Sequence, residues 1–165
     1  MPLYSNSFKN LVGDHDGYAH ILTGQNAGAT IHTGTGKLYI YAGTDPNDAN
    51  AALSGQTLLG IVTSDAGVGS TFLTFAAMSA GVLSKNATEV WSTGAMTISG
   101  TKTASYARFV NGSDDPTVAD TGSGHPRIHL SIRQIGSTPG DINLVNPVFV
   151  NGDSFNLDAF QINLL

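Results

Sequence analysis

The sequence predicts an all-β fold, a two-layer β-sandwich of jelly-roll or immunoglobulin-like type carrying an extended N-terminal arm. Three observations carry that expectation. Glutamate occurs once, as Glu89, and only 12% of the 165 residues are charged, while glycine, threonine and serine abound. Such a mixture is poor in helix formers and rich in residues that suit strands and turns. Short β-prone runs recur between turn signals, about eight to ten of them. The clearest run, Arg127 to Gln134, alternates with period two, so that Ile128, Leu130 and Ile132 share one face and His129, Ser131 and Arg133 the other. A chain of this length supports one core and not two.

Residues 1–35 have no sustained period and are read as a largely extended arm that another surface orders. Asp14 to Gly17 reads as a turn and Tyr18 to Leu22 as a short helix, with Tyr4, Phe8, Leu11, Val12 and Tyr18 as the apolar anchors of the arm. The sandwich domain is placed at residues 36–165. Leu38 to Tyr41 opens it as a strand, closed by the turn at Gly43 to Pro46; Leu38 and Ile40 are assigned to the core, Tyr39 and Tyr41 to the opposite face. Thr57 to Thr63, Thr71 to Ala76, Met96 to Ser99 and Ala104 to Val110 are the next strands, and 111–126 is a long polar loop. After Arg127 to Gln134 come short strands at Asp141 to Val145 and Val148 to Val150. Asn151-Gly152 then signals a hairpin. In the last strand the apolar phase slips at Asp158-Ala159, between Phe155/Leu157 and Phe160/Ile162/Leu164, which predicts a β-bulge.

The charge balance excludes several function classes. A formal net charge of -5, with seven Lys and Arg scattered without a run, offers no basic stripe for nucleic acid and nothing for an anionic membrane surface. No stretch approaches the roughly 20 apolar residues of a membrane span, and the N-terminus does not read as a signal peptide. Cysteine is absent, so neither disulfides nor thiolate chemistry is expected. A surface this low in charge suits a protein covered by partners, since charge is depleted at interface cores.

No enzyme is expected, and no cofactor or metal. Asp14, His15, Asp16 and His20 form the densest set of metal-ligand types, but neighbouring side chains diverge and a solvated Asx turn is the preferred reading. His129 falls on the polar face of a strand, and His32 and His125 lie in glycine-rich loops; no Gly-Xaa-Ser-Xaa-Gly elbow supplies a nucleophile. Thr35-Gly36-Lys37 has Ile31 where a phosphate loop needs glycine, and a strand follows rather than a helix. Asn86-Ala87-Thr88 and Asn111-Gly112-Ser113 fit the glycosylation pattern by coincidence. Trp91, Tyr106, Tyr39 and Tyr41 are candidates for an exposed sugar platform, weighed against cover by a second layer or a neighbouring subunit, which is preferred.

Three stretches resemble a family of small structural proteins of tailed bacteriophages and prophages. They are Lys37 to Pro46, with the following Ala/Asp/Asn loop and Gly55 to Leu59; the Thr-rich block Ala95 to Val110, ending Tyr106-Ala107-Arg108-Phe109; and Gly140 to Leu144, then Gly152 to Phe155 and Phe160 to Ile162. The N-terminal region departs from the family, which is more helical there, and so does the long loop at 111–126. The resemblance implies a virion component made in the host cytoplasm, a head decoration (cement) protein on the capsid surface. Its expected partners are the major capsid protein and copies of itself, as a homotrimer. The alternatives are a tail or neck protein on the same scaffold and a carbohydrate-binding module using Trp91.

Overall fold

The computed structural model describes Leu3–Tyr4 and residues 36–66, 71–76, 82–111, 114–120, 127–138 and 140–163, and every regular element among them is a β-strand. In chain order these are β1 (Leu3–Tyr4), β2 (Gly36–Ala42), β3 (Thr57–Val62), β4 (Val82–Ser84), β5 (Trp91–Ser92) and β6 (Lys102–Asn111). There follow β7 (Arg127–Gln134), β8 (Ile142–Leu144), β9 (Val148–Phe149), β10 (Asn156–Leu157) and β11 (Gln161–Asn163). The all-β expectation therefore holds for the described residues.

The longest strands, β6, β7 and β2, are those whose apolar residues alternate most regularly, and they form the middle of the main sheet. Its order is β1-β7-β6-β2-β3, with β8 added to β7 and β9 to β6, seven strands in all. Leu38 pairs with Phe109 and Ile40 with Ala107 across β2 and β6; Phe109 pairs with Ile128 and Ala107 with Leu130 across β6 and β7. The apolar sets of three strands are thus in register on one face. All ladders of this sheet are antiparallel except β7–β8, so the sheet is mixed. Register shifts opposite Ile40/Tyr41 and Tyr41/Ala42 leave Leu59 of β3 and Ser105 of β6 as extra residues, so the bulges lie in the two strands that flank β2.

The inner face of this sheet, to which Phe149 of β9 contributes, packs against Leu73, Phe75, Trp91, Met96, Ile98 and Phe155, which continue the same buried cluster. Two small sheets lie outside this order, β10 with β5, which carries Trp91, and β11 with β4. Phe75 sits edge-on to Trp91 with centroids 5.5 Å apart, and Phe160 lies 5.7 Å from Trp91 and 6.1 Å from Phe109. Aromatic pairs at such offsets contribute beyond their buried area.

Four sequence expectations are corrected. Thr71 to Ala76 contributes only isolated bridges at Leu73 and Phe75. Met96 to Ser99 is not a strand; Met96 is held by bonds with Asp153 and Gly152. Asn151-Gly152 does turn the chain, closed by the Asp153 amide on the Val150 carbonyl, but β9 and β10 leave it for different partners, so no hairpin forms. The phase slip at Asp158-Ala159 is real, yet its cause is a change of partner. Before it β10 pairs with β5; after it β11 pairs with β4.

Candidate functional site

The opposite face of the main sheet holds Tyr41, Tyr106, Arg108, Arg127 and His129, most of the buried ionisable groups among the described residues. Register places Tyr106 beside Tyr41, and Arg108 between Tyr39 and His129. Tyr41 stacks on Tyr106 at 5.2 Å, and Tyr106 stacks on His129 at 4.9 Å with planes 19° apart. Tyr106, Arg108 and His129 are all buried, the last 2% exposed. The face that alternation marks as polar is therefore covered.

Two loops cover it. Arg108 Nη1 donates to the Pro116 carbonyl at 2.6 Å and Nη2 to the Asp48 carbonyl at 3.0 Å, so one guanidinium holds both loops. The loops are tied to each other by Leu53 N–H on the Thr117 carbonyl and Asp120 N–H on the Asn50 carbonyl. Each is shaped locally by Asx turns: Asp45 accepts from Asn47 N–H, Asp48 from Asn50 N–H, and Asp115 from the N–H and hydroxyl of Thr117. Those two bonds from Thr117 hold the Asp115 carboxyl below its usual range. Arg127 makes a bidentate pair with Asp114, Nε to Oδ2 at 2.6 Å and Nη2 to Oδ1 at 2.8 Å, and donates further to the Val118 and Asp115 carbonyls.

His129 Nε2 meets Asp45 Oδ1 at 2.7 Å. Burial, seconded by the Arg108 charge, pushes the imidazole pKa down against the pull of Asp45, so the ring is neutral and Nε2–H donates to the carboxylate. Burial likewise pushes the Tyr106 phenol up to about 12, and Tyr41 upward as well. His129 Nδ1, Tyr106 Oη and Arg108 Nε are buried with no hydrogen-bond partner among the described residues. No hydroxyl bonds to either nitrogen of His129, so among the described residues it forms no nucleophile–base pair.

The one glutamate is also used structurally. Glu89 accepts from Thr74 N–H at 3.0 Å, the Thr74 hydroxyl at 2.6 Å and Trp91 Nε1 at 2.6 Å. Trp91 is 1% exposed and Tyr106 wholly buried, so neither belongs to a surface platform and the preferred reading, that they are covered, stands for both; Tyr41 too is buried. Leu38 and Ile40 face the core as expected.

Of the expected arm anchors, Tyr4 lies in β1, opposite Ile128 of β7. Phe8, Leu11, Val12 and Tyr18 lie outside the described residues, as do Asp14, His15, Asp16, His20, His32 and His125, the segment Tyr18 to Leu22, and parts of the loop at 111–126. Gly36 and Lys37 open β2. Asn86 Oδ1 accepts from the N–H and hydroxyl of Thr88, an Asx turn. Among the described residues, no group of three or more His, Asp or Glu side chains is placed to hold a metal ion.

Exposed apolar side chains gather where β7 and β8 end side by side. Ile135 is 60% exposed and Val145 79%, held near one another by Ile135 N–H on the Leu144 carbonyl and Gln134 Nε2 on the Val145 carbonyl. Val148, at the start of β9, and Val150 extend the exposed set. Sequence reasoning missed this end because it assigned those valines to short strands without asking which side of them is covered. No family model matches the chain, and no curated protein or solved structure matches it either.

Proposed function

We propose that the chain is a non-enzymatic structural protein of a bacteriophage virion, a β-sandwich with an N-terminal arm that serves as a capsid decoration protein. The observation that carries the reading is the exposed pair Ile135 and Val145, brought together where β7 and β8 end side by side, on a chain with so few charges. Contiguous exposed aliphatic side chains mark contact surfaces. The chemically capable groups support it from the other side, because Arg108, Arg127, Asp114, His129, Asp45 and Glu89 are engaged in holding loops and strands. The stretches that carry the phage-protein resemblance supply β2 and β6, which lie side by side in the sheet. The partners in this reading are the major capsid protein and two further copies of the chain.

The test is co-sedimentation with emptied capsids of the phage. Saturable binding at a fixed ratio to the major capsid protein is expected, lost in a Val145→Asp/Ile135→Asp variant that melts like the natural chain. Recovery in tail fractions, with no capsid binding, moves the protein to the tail or neck. Absence from purified particles ends the virion reading.

A further inference from the structure

We infer that the groove at one end of the main sheet, where β2 stops and β3 and β6 start, binds a carboxylate-bearing sugar, a uronate ring of an acidic polysaccharide. The first observation is the cavity itself. Its volume of about 490 Å³ falls within the roughly 300–1,000 Å³ of small-ligand sites. Thr57, Thr101, Lys102, Thr103 and Ser105 line it, and among its described lining residues there is no carboxylate. Gly43 and Gly55 also line it, at φ of +112° and +82°, so that part of the wall is bare main chain.

The second observation is an uncommitted cation. Lys37 lies over the Phe72 ring, and Lys85, Arg108, Arg127 and Arg133 all donate to carbonyl or carboxylate oxygens. Among the described residues, Lys102 is the one cation whose side chain has no partner. The hydroxyls of Thr57, Thr101 and Thr103 have none either. The rim, by contrast, is held: Ser105 Oγ donates to the Gly43 carbonyl at 2.7 Å and Gln56 Nε2 to the Thr44 carbonyl at 3.0 Å. A wall fixed before the ligand arrives lowers the cost of binding.

The third is the match of chemistry. One ammonium among three free hydroxyls is the complement of one carboxylate on a ring of hydroxyls. Phosphate recognition favours planar arginine forks, and the groove has none. A protein partner would seat an apolar anchor, yet Ala42 is the one apolar side chain among the described lining residues. The net charge of -5 does not forbid an acidic ligand, because charges farther off than about 8 Å are screened at physiological salt. The site belongs to the chain alone, without a capsid, so its failure leaves the virion reading to its own test.

The experiment titrates trigalacturonate into the full chain carrying isotope-labelled threonine methyl groups, at physiological salt, and follows the methyl resonances. Saturable shifts at Thr57, Thr101 and Thr103 are expected. The uncharged galactose trisaccharide should bind about tenfold more weakly, and Lys102→Gln should weaken trigalacturonate by about the same factor, the loss of one charged hydrogen bond. Thr103→Val, which keeps the shape of an exposed strand residue, should weaken it severalfold. Absence of a saturable shift, shifts centred elsewhere, or equal binding of the uncharged trisaccharide overturns the inference. An unaltered affinity in a folded Lys102→Gln variant overturns it too. So does tighter binding of a short peptide through its C-terminal carboxylate, which would make the ligand a protein tail.

Discussion

His129 lies flat against Tyr106, their ring centroids 4.9 Å apart, while its Nε2 donates to Asp45 at 2.7 Å. The contact joins a strand in the middle of the sheet to the loop that follows β2. A neutral imidazole in that position makes the loop's closure depend on pH.

The sign follows from the direction of the shift. Burial lowers the folded pKa of His129 beneath the ordinary 6.5, so the unfolded chain binds the proton more readily. Stability contributed by His129 is full above 6.5 and falls as pH drops through the lowered folded value. Asp45 and Asp141 face the ring as acids and Arg108 as a cation, and the net direction already includes them. Urea titrations across this range should find His129→Phe less stable at neutral pH by about 1 kcal/mol, with a flatter slope. A second loss comes at lower pH. Burial opposes the charged form of Asp141, yet bonds from Ser131 hold its pKa below 3.8, so its contribution is present above that value and lost beneath it. An unchanged slope in His129→Phe would count against the first assignment.

The Arg127–Asp114 pair has both side chains 1% exposed. Removing one partner of such a pair leaves a charge without its counterion in a dry site, at about 3–5 kcal/mol. Asp114→Ala should therefore lower stability by that order. Arg127→Met should also destabilise, because the Val118 and Asp115 carbonyls lose their donor. The double variant is expected to lose less than the two single losses added, measured by chemical denaturation.

Glu89 and Trp91 offer an optical test, since Trp91 is the chain's one tryptophan. Glu89→Ala removes the acceptor of three bonds and should cost about 3 kcal/mol, with Trp91 emission shifting toward that of a solvated indole. Glu89→Gln retains acceptor capacity on one oxygen and should cost about half as much. Equal losses in the two variants would mean that the carboxylate charge, and not the bonding pattern, is what matters.

Gly94 has φ of +64°, and a Cβ there would lie 2.1 Å from the Ala66 carbonyl oxygen. Both the dihedral and the backbone contact oppose any side chain. Gly94→Ala should cost about 3 kcal/mol or more, whereas Gly100→Ala, also at positive φ but in open space, should cost about 1 kcal/mol. Thermal melts of the two variants side by side make the comparison.

Strand-prone runs were enough to find β2, β3, β6 and β7, and alternation chose the core faces of β2 and β7, because one side of each packs on a continuous apolar cluster. It could not find the second buried face. Period two sorts residues onto faces without saying what lies over them: it put His129 on the polar face of β7, but it named neither the loops that cover that face nor Arg108 as the group that holds them. A signal was present: Arg108 interrupts an apolar strand, and Asp45-Pro46-Asn47, Asp48-Ala49-Asn50 and Asp115-Pro116-Thr117 are Asx-turn patterns in the loops it holds. The slip at Asp158-Ala159 was legible as a change of phase, but its cause lay in β4 and β5, far away in sequence.

The pairing of β1 with β7 also orders events in time. Residues Leu3 and Tyr4 leave the ribosome long before Ile128 and His129, their partners. The central pairing of β2 with β6 is itself distant in sequence, so sheet formation belongs to the slower class of β-proteins, in the range of milliseconds to seconds. β7 must then add to β6 before its outer edge exists. Until that moment the early strand has nothing to close, so the first strand made is the last to be placed. Completion of the sheet is thus set by one late step, and the wait between the synthesis of β1 and that of β7 is when an uncovered strand is open to wrong pairing.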